Sequence, residues 1–591
     1  MISRLTRLRI RRRFRRGKKQ VEDFGNQTSE GFEENIINRL GRLPNVRRFM
    51  SVWVGLLVLL IGSVVAQTLA LSHYYQRPEP GPGGVYSEGI LGDFTTANPI
   101  YATGSVDDAV SRLVFAGLLN YNDQNQLVDD LAQSWSSDST GKVYTVHLKS
   151  NLTWQDGQPL TAADVVFTFQ TIQDPDSQSP LNESWQDVLV SEVNPLTVTF
   201  TLSNPLASFP YSLTTGILPK HLLGSLPAST LRTASFNTDP VGAGPFKWGG
   251  ITVAGGTPTT RQEQIVMSPF SNFNGGKPKL DEFIVRAFHD QTTLVNSFTA
   301  GQLNGLSGLN SVPSQIAKDK SNRIYNLPLT AANMVFFRTT DGILADASVR
   351  RALVMGANTT QIVNHLGYSV VPVKEPLLIN QIGFNPAYEQ YAYNPTQAAA
   401  TLQADGWILK NGIRYKAGQQ LTFELSALDN KDNQYVTSAL QKQWQAIGVN
   451  LQVNLQDASD FENTITFHEY DALLYGISIG VDPDVFVYWD SSQANLDSPF
   501  HTNYSEYNSA TADSSLEAGR TRINPQLRAV KYQPFLASWQ EDAPALGLYQ
   551  PRFLYITDEP IYGLTTHSIN DPGDRFDNVQ NWEIREQEVS Y

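Results

Sequence analysis

The densest group of side chains suited to holding a solute is Gly476-Ile-Ser-Ile-Gly-Val-Asp482-Pro-Asp484, with Phe486, Tyr488 and Trp489 just behind it. Carboxylates there stand beside aromatic surface, a combination that suits recognition, although Asp482-Pro483-Asp484 equally serves to end a strand. Signals for catalysis are poor. The eight histidines are scattered without an HExxH or a paired spacing, which argues against a dedicated metal site. Cysteine is absent, so there is no thiolate ligand, disulfide or cysteine nucleophile. Val241-Gly-Ala-Gly244 lacks the Lys-Ser/Thr of a phosphate loop and the third glycine of a dinucleotide fingerprint, and reads as a tight turn. Asp156, Gly157 and Asp164 read as turn and cap residues. No catalytic residue, metal or cofactor is assigned, and the chain is not read as an enzyme.

The elements that carry this stretch are legible around it. Leu421, Phe423 and Leu425 alternate as a strand, Val436, Leu440, Trp444 and Ile447 recur at helical spacing up to Gly448, and Val449, Leu451, Val453 and Leu455 alternate again. That is a βαβ unit. A short helix over Phe461 to Phe467 and a third apolar run, Ala472-Leu-Leu-Tyr475, extend it to an α/β lobe with a largely parallel sheet. Ligands in such lobes collect beyond the carboxyl ends of the strands, where the Asp482 loop falls. Earlier in the chain, Val143-Tyr-Thr-Val-His-Leu148 alternates as a strand, Thr161-Ala-Ala-Asp164 has capping-box spacing ahead of a helix, and Val188-Leu-Val190 with Thr197–Leu202 reads as a hairpin through Asn194-Pro195.

One uncharged stretch, Val52 to Leu71, separates two parts of opposite charge. A helix of about 20 such residues, at about 1.5 Å each, spans the roughly 30 Å hydrocarbon core of a bilayer. Residues 1–49 hold 14 Lys and Arg against 5 Asp and Glu, whereas the remainder holds 30 against 52. The basic side stays in the cytoplasm and the acidic part lies outside, extracellular or periplasmic. Val64-Val65-Ala66 resembles a signal-peptidase site, which would start a mature chain near Gln67, but the long basic region favours a retained anchor. Arg4 to Lys19 carries ten Arg or Lys and suits the anionic lipids of an inner leaflet better than nucleic acid. Gln76 to Gly84, with three prolines and three glycines, reads as a tether without regular structure.

Several motifs in succession resemble one family. Leu131-Ala-Gln-Ser-Trp135, Trp154-Gln-Asp-Gly-Gln-Pro-Leu-Thr-Ala-Ala-Asp-Val-Val-Phe167, Pro240-Val-Gly-Ala-Gly-Pro-Phe246, Asn274-Gly-Gly-Lys-Pro-Lys-Leu-Asp281, Val349-Arg-Arg-Ala-Leu353 and Asp405-Gly-Trp407 look like the ordered signatures of family 5 extracellular solute-binding proteins. These resemble the peptide- and nickel-binding subunits of ABC importers. The resemblance implies an α/β, two-lobed clamp of the periplasmic-binding-protein type with an extra subdomain, here preceded by one transmembrane helix. The expected division is 1–49 basic tail, 50–75 transmembrane helix, 76–84 tether, 85–326 first lobe with the subdomain, 327–540 second lobe, and 541–591 returning to the first lobe. Expected ligand-binding residues are Tyr475, Ile479, Asp482, Asp484, Trp489 and Tyr504. In peptide-binding relatives an acidic residue just upstream of the Asp-Pro segment pairs with the ligand's α-amino group, and Ile479 takes that place here. Either Asp482 or Asp484 replaces it, or the ligand has no free amine at that end. The implied partners are a peptide-like or other small solute and an importer permease in the same membrane. A transmembrane sensor subunit and, less well supported, a peptide hydrolase are the alternatives.

Overall fold

The computed structural model describes residues 47–74, 76–257, 261–368, 370–497 and 500–590, so the basic segment Arg4 to Lys19 lies outside the described residues. The chain divides into two compact units, one holding residues up to 79 and from 586, the other Pro80–Arg585. In the smaller unit, helix α1 (Arg47–Tyr74) contains a 22-residue apolar stretch, Phe49–Ala70, with mean hydropathy 2.4 and no buried residue. It is long and apolar enough to cross a membrane. The expectation of an unstructured tether is corrected: β1 (Gln76–Gly81) pairs with the last strand, Arg585–Ser590, in a two-stranded ribbon. In a ribbon each strand keeps one free edge, where a proline's missing N–H costs no ladder bond.

In the larger unit β2 (Val85–Leu91) starts one sheet, and the chain then leaves it to build an extra subdomain. This comprises β3 (Ala132–Ser137), β4 (Val143–Leu148), β5 (Val188–Asn194) and β6 (Thr197–Leu202), antiparallel in the order β3-β4-β6-β5. The strand, capping-box and hairpin expectations hold here. Tyr144, Val146 and Leu148 alternate into the core, and the Thr161 N–H donates to Asp164 Oδ2 (2.9 Å) at the start of α2 (Ala162–Gln173). The chain returns as β7 (Phe246–Ala254), β8 (Gln262–Pro269), β9 (Glu282–Phe288), β10 (Gly305–Ser307) and β11 (Arg323–Pro328). Val241-Gly-Ala-Gly244, expected as a tight turn between lobe elements, is instead a bent segment leading into β7, its backbone bonded to Val114 and Gln155. A Cβ on Gly242 would come within 1.9 Å of the Val114 carbonyl oxygen, so only glycine lets the two backbones approach.

A second sheet follows: β12 (Ala331–Phe337), β13 (Thr422–Leu428), β14 (Asn450–Gln456), β15 (Ala472–Ser478) and β16 (Ala545–Tyr549), in the order β14-β13-β15-β12-β16. The βαβ unit is β13, α3 (Lys431–Ala446) and β14, and Gly448 takes the left-handed φ of +91° that stops the helix side of the turn. The short helix α4 (Ala458–Thr466) precedes β15, which runs parallel to β13. The sheet is largely parallel, as expected: four strands run one way, and β12 lies antiparallel to its neighbours β15 and β16. Chain direction explains the exception: β12 leaves the junction between the two sheets, while β15 and β16 run back toward it. Alternate residues of β12 serve two cores, Val335 and Phe337 on one face and Ala332, Met334 and Phe336 on the other.

β17 (Arg552–Thr557) completes the first sheet in the order β11-β17-β10-β2-β9-β8-β7. The chain therefore crosses between sheets twice, at Leu329–Thr330 and Gln550–Pro551, and the Leu329 N–H donates to the Pro551 carbonyl (2.9 Å). The expected return near 541 comes later, since Ala545–Tyr549 is an entirely buried strand of the second sheet. At the centre of the first sheet the Glu88 carboxylate is paired with Arg575 (2.7 Å) and accepts from Ser307 Oγ (3.0 Å) and the Tyr555 hydroxyl (2.9 Å).

Candidate ligand-binding site

The loop after β15 opens beside the crossings. The Ile479 and Gly480 N–H groups both donate to the Thr330 carbonyl (3.0 and 2.9 Å), which pins the start of the loop to one connector, and Gly480 turns it with a φ of +79°. Ile479 is thus held by its backbone, and its half-buried side chain packs on the core.

Asp482 is buried, and both its oxygens accept from the Arg528 guanidinium, carried by α6 (Pro525–Asp542), which is preceded by α5 (Ala510–Arg520). Arg528 also donates to the Tyr532 hydroxyl (3.2 Å). Burial raises the Asp482 carboxyl above its ordinary value, and the Arg528 pair opposes that rise. Asp484 stands two residues on. Its Oδ2 accepts from Arg520 Nη2 (3.1 Å) and from the Ser208 hydroxyl (3.0 Å), and Arg520 lies over the Phe486 ring at 4.1 Å.

The aromatic candidates divide. Tyr475 is half-buried on β15, edge-on to Tyr504 at 5.2 Å and to Phe461 at 6.0 Å. Tyr504 is buried in the same cluster, and burial raises both phenols. Tyr488 donates to the Ser478 carbonyl (2.6 Å), with burial pushing its phenol up to about 12. Trp489 has no exposed surface; it lies within the core between Phe336 (5.7 Å) and Trp539 (5.8 Å). The structure thus brings Tyr475 and Tyr504 together, commits Asp482 to Arg528, sets Asp484 at the seam with the subdomain, and buries Trp489.

At that seam lies a cavity of about 550 Å³. Val188, Leu202 and Leu206 on the subdomain side, within the first body built on the β2 sheet, face Phe486, Glu517 and Arg520 of the second body, built on the β12–β16 sheet. The size falls within the range of small-molecule sites, about 300–1,000 Å³. Ser208, Arg520 and Arg528 are the residues that strand and motif reading passes over. Arg528 had a signal: it occupies a core-facing position of a helix with Tyr532, Phe535, Leu536 and Trp539, and an arginine there calls for a buried carboxylate.

Gly476-Ile-Ser478-Ile-Gly480 has the spacing of a nucleophile elbow, a pattern that the motif reading of the sequence misses. An elbow needs its serine on a sharp strand-to-helix turn. Ser478 is instead still in β15, paired with Ala331. Among the described residues no group of three or more His, Asp or Glu is arranged to hold a metal ion.

Two α/β sheets joined by two crossings, with a cavity at the seam, define a solute-binding clamp. Residues 126–498 match the model of the bacterial extracellular solute-binding proteins, family 5, and the chain belongs to that family. It is 24% identical to the oligopeptide-binding protein AppA of Bacillus subtilis (strain 168) over 520 residues, covering 85% of this chain and 92% of AppA. Among solved structures it is similar to NikZ from Campylobacter jejuni in complex with Ni(L-His), with a TM-score of 0.69 and 26% identity over 85% of this chain and 99% of NikZ. It is likewise similar to the ABC transporter substrate-binding protein CtaP from Listeria monocytogenes, with a TM-score of 0.73 and 25% identity over 85% of this chain and 99% of CtaP. The role is solute binding outside the cytoplasm.

Proposed function

We propose that the chain is a membrane-tethered receptor that captures a peptide-like or other small solute and delivers it, unchanged, to an ABC importer permease in the same membrane. The observation that carries this is the seam: a ligand-sized cavity between two bodies that the chain connects by two short crossings, in a chain of this family. Tethering is supported by the apolar stretch Phe49–Ala70, with the Arg4–Lys19 segment resting on anionic lipids.

Within the peptide class we favour a ligand without a free amine at the Ile479 end. Of the two carboxylates that could replace the missing acid, Asp482 is bound by Arg528 and Asp484 by Arg520 and Ser208. An ammonium placed there would be desolvated without a free partner.

Native mass spectrometry of the full chain in lipid nanodiscs tests the role: a retained solute, released at its original mass after prolonged incubation, is expected. Recovery of cleaved fragments would instead establish the hydrolase. Calorimetry with two peptides differing only in N-terminal acetylation tests the amine reading. A tenfold preference for the free amine, about 1.4 kcal/mol, would overturn it.

A further inference from the structure

We propose that Asp484, Arg520 and Ser208 form a latch that holds the clamp closed and reports closure to the extra subdomain, an inference that rests on the clamp reading above. Asp484 and Arg520 both belong to the second body: Asp484 follows β15, and Arg520 ends α5, whose Leu516 packs in the same core as Val485. Their ion pair (3.1 Å) is internal to that body. Two further bonds cross the seam. The Ser208 hydroxyl donates to the same Asp484 oxygen that Arg520 holds (3.0 Å), and the Ala207 N–H donates to the Arg520 carbonyl (2.8 Å).

Arg520 is thus the orienting group. Stacked on Phe486, it fixes the carboxylate rotamer so that the lone pair left on Oδ2 faces the approaching hydroxyl. On the other side Ser208 is followed at once by Phe209, the first residue of a 3₁₀ turn over Phe209–Thr214. The Phe209 ring is buried among Tyr144 (4.9 Å), Trp185 and Phe200 (both 5.6 Å), the aromatic core of the β3–β6 sheet. A bond made or lost at Ser208 is therefore tied to the subdomain core. Leu206, next to Ala207, and Phe486, two residues after Asp484, line the 550 Å³ cavity together with Arg520, so a solute held there touches Arg520 and the chain segments that carry Ser208 and Asp484.

Ser208 is a positioning residue in this scheme, and its removal is expected to shift the open–closed balance without unfolding either body. The chain has no cysteine, so a pair introduced at Leu189 on β5 and Leu527 on α6, both well exposed, takes spin labels at those two places alone. Distances between the labels are measured by pulsed electron resonance on the full chain in nanodiscs. A short-distance population is expected with the wild-type latch, reduced at least threefold in Ser208→Ala, restored in Ser208→Thr, and lost further in Asp484→Asn, with melting temperatures close to one another. Unchanged distances in Ser208→Ala, or failure of Ser208→Thr to restore them, would overturn the latch. Native mass spectrometry on the same preparations reads solute retention separately: a retained solute with unmoved distances overturns the latch alone and leaves the binding role standing.

Discussion

Glu375 is a fully buried carboxyl whose Oε1 accepts the Asn385 N–H (3.1 Å), and burial, with a smaller push from Glu389, raises its pKa to about 8. A raised carboxyl favours the folded state while it keeps its proton. Its contribution is therefore full below the ordinary value near 4.5 and is lost as pH rises through about 8. The melting temperature should fall between pH 5 and pH 8.5, and Glu375→Gln, which needs no proton, should flatten that fall; an equal fall in the variant would show that other groups set it. Asp482 and Arg528 give a second expectation. Arg528→Met leaves a buried carboxylate unpaired and should cost about 3–5 kcal/mol in urea unfolding, whereas adding Asp482→Leu should recover most of the loss. At this scale the sequence showed Asp482 but not its fate. The partner lies 46 residues further on, on helix α6, and no local pattern links the two.

The elements were more legible than the residues, and for a stated reason: periodicity is local and strand partners are not. Val143–Leu148, the Thr161 capping box, the Val188–Leu202 hairpin and the unit from Thr422 to Gln456 all form where alternation and helical spacing put them. The direction of β12 and the pairing of β1 escaped, because both depend on where the chain goes next and neither leaves a trace within the strand itself. The glycines at 241–244 read as a turn, but what they serve is a tertiary contact with Val114. Adding a methyl at Gly242 drives it into the Val114 carbonyl, so Gly242→Ala should destabilise by about 1–3 kcal/mol or more in urea unfolding. A variant as stable as wild type would mean that the backbone yields there without strain.

For the whole molecule, the contrast of charge across Val52–Leu71 sets the expected orientation, basic end inside. Protease added to spheroplasts should digest the acidic part and spare an epitope at residue 1. Loss of that epitope would reverse the orientation, and a chain beginning near Gln67 would replace the anchor with a cleaved leader. The two-body architecture was implied by the succession of family motifs, not by any periodicity, and the seam with its arginines emerged only from the assembled chain.

The double crossing also dictates an order of events during synthesis. β17 lies between β10 and β11, so both strands keep an unpaired edge until Arg552–Thr557 has been made. Arg575, the partner of Glu88, arrives later still. The second sheet is complete once Tyr549 has emerged, while the first is still waiting for its missing strand. A nascent chain stalled before residue 552 would therefore carry every strand of the second sheet beside an open, adhesive first sheet, and such stalled chains should need chaperones or be degraded first.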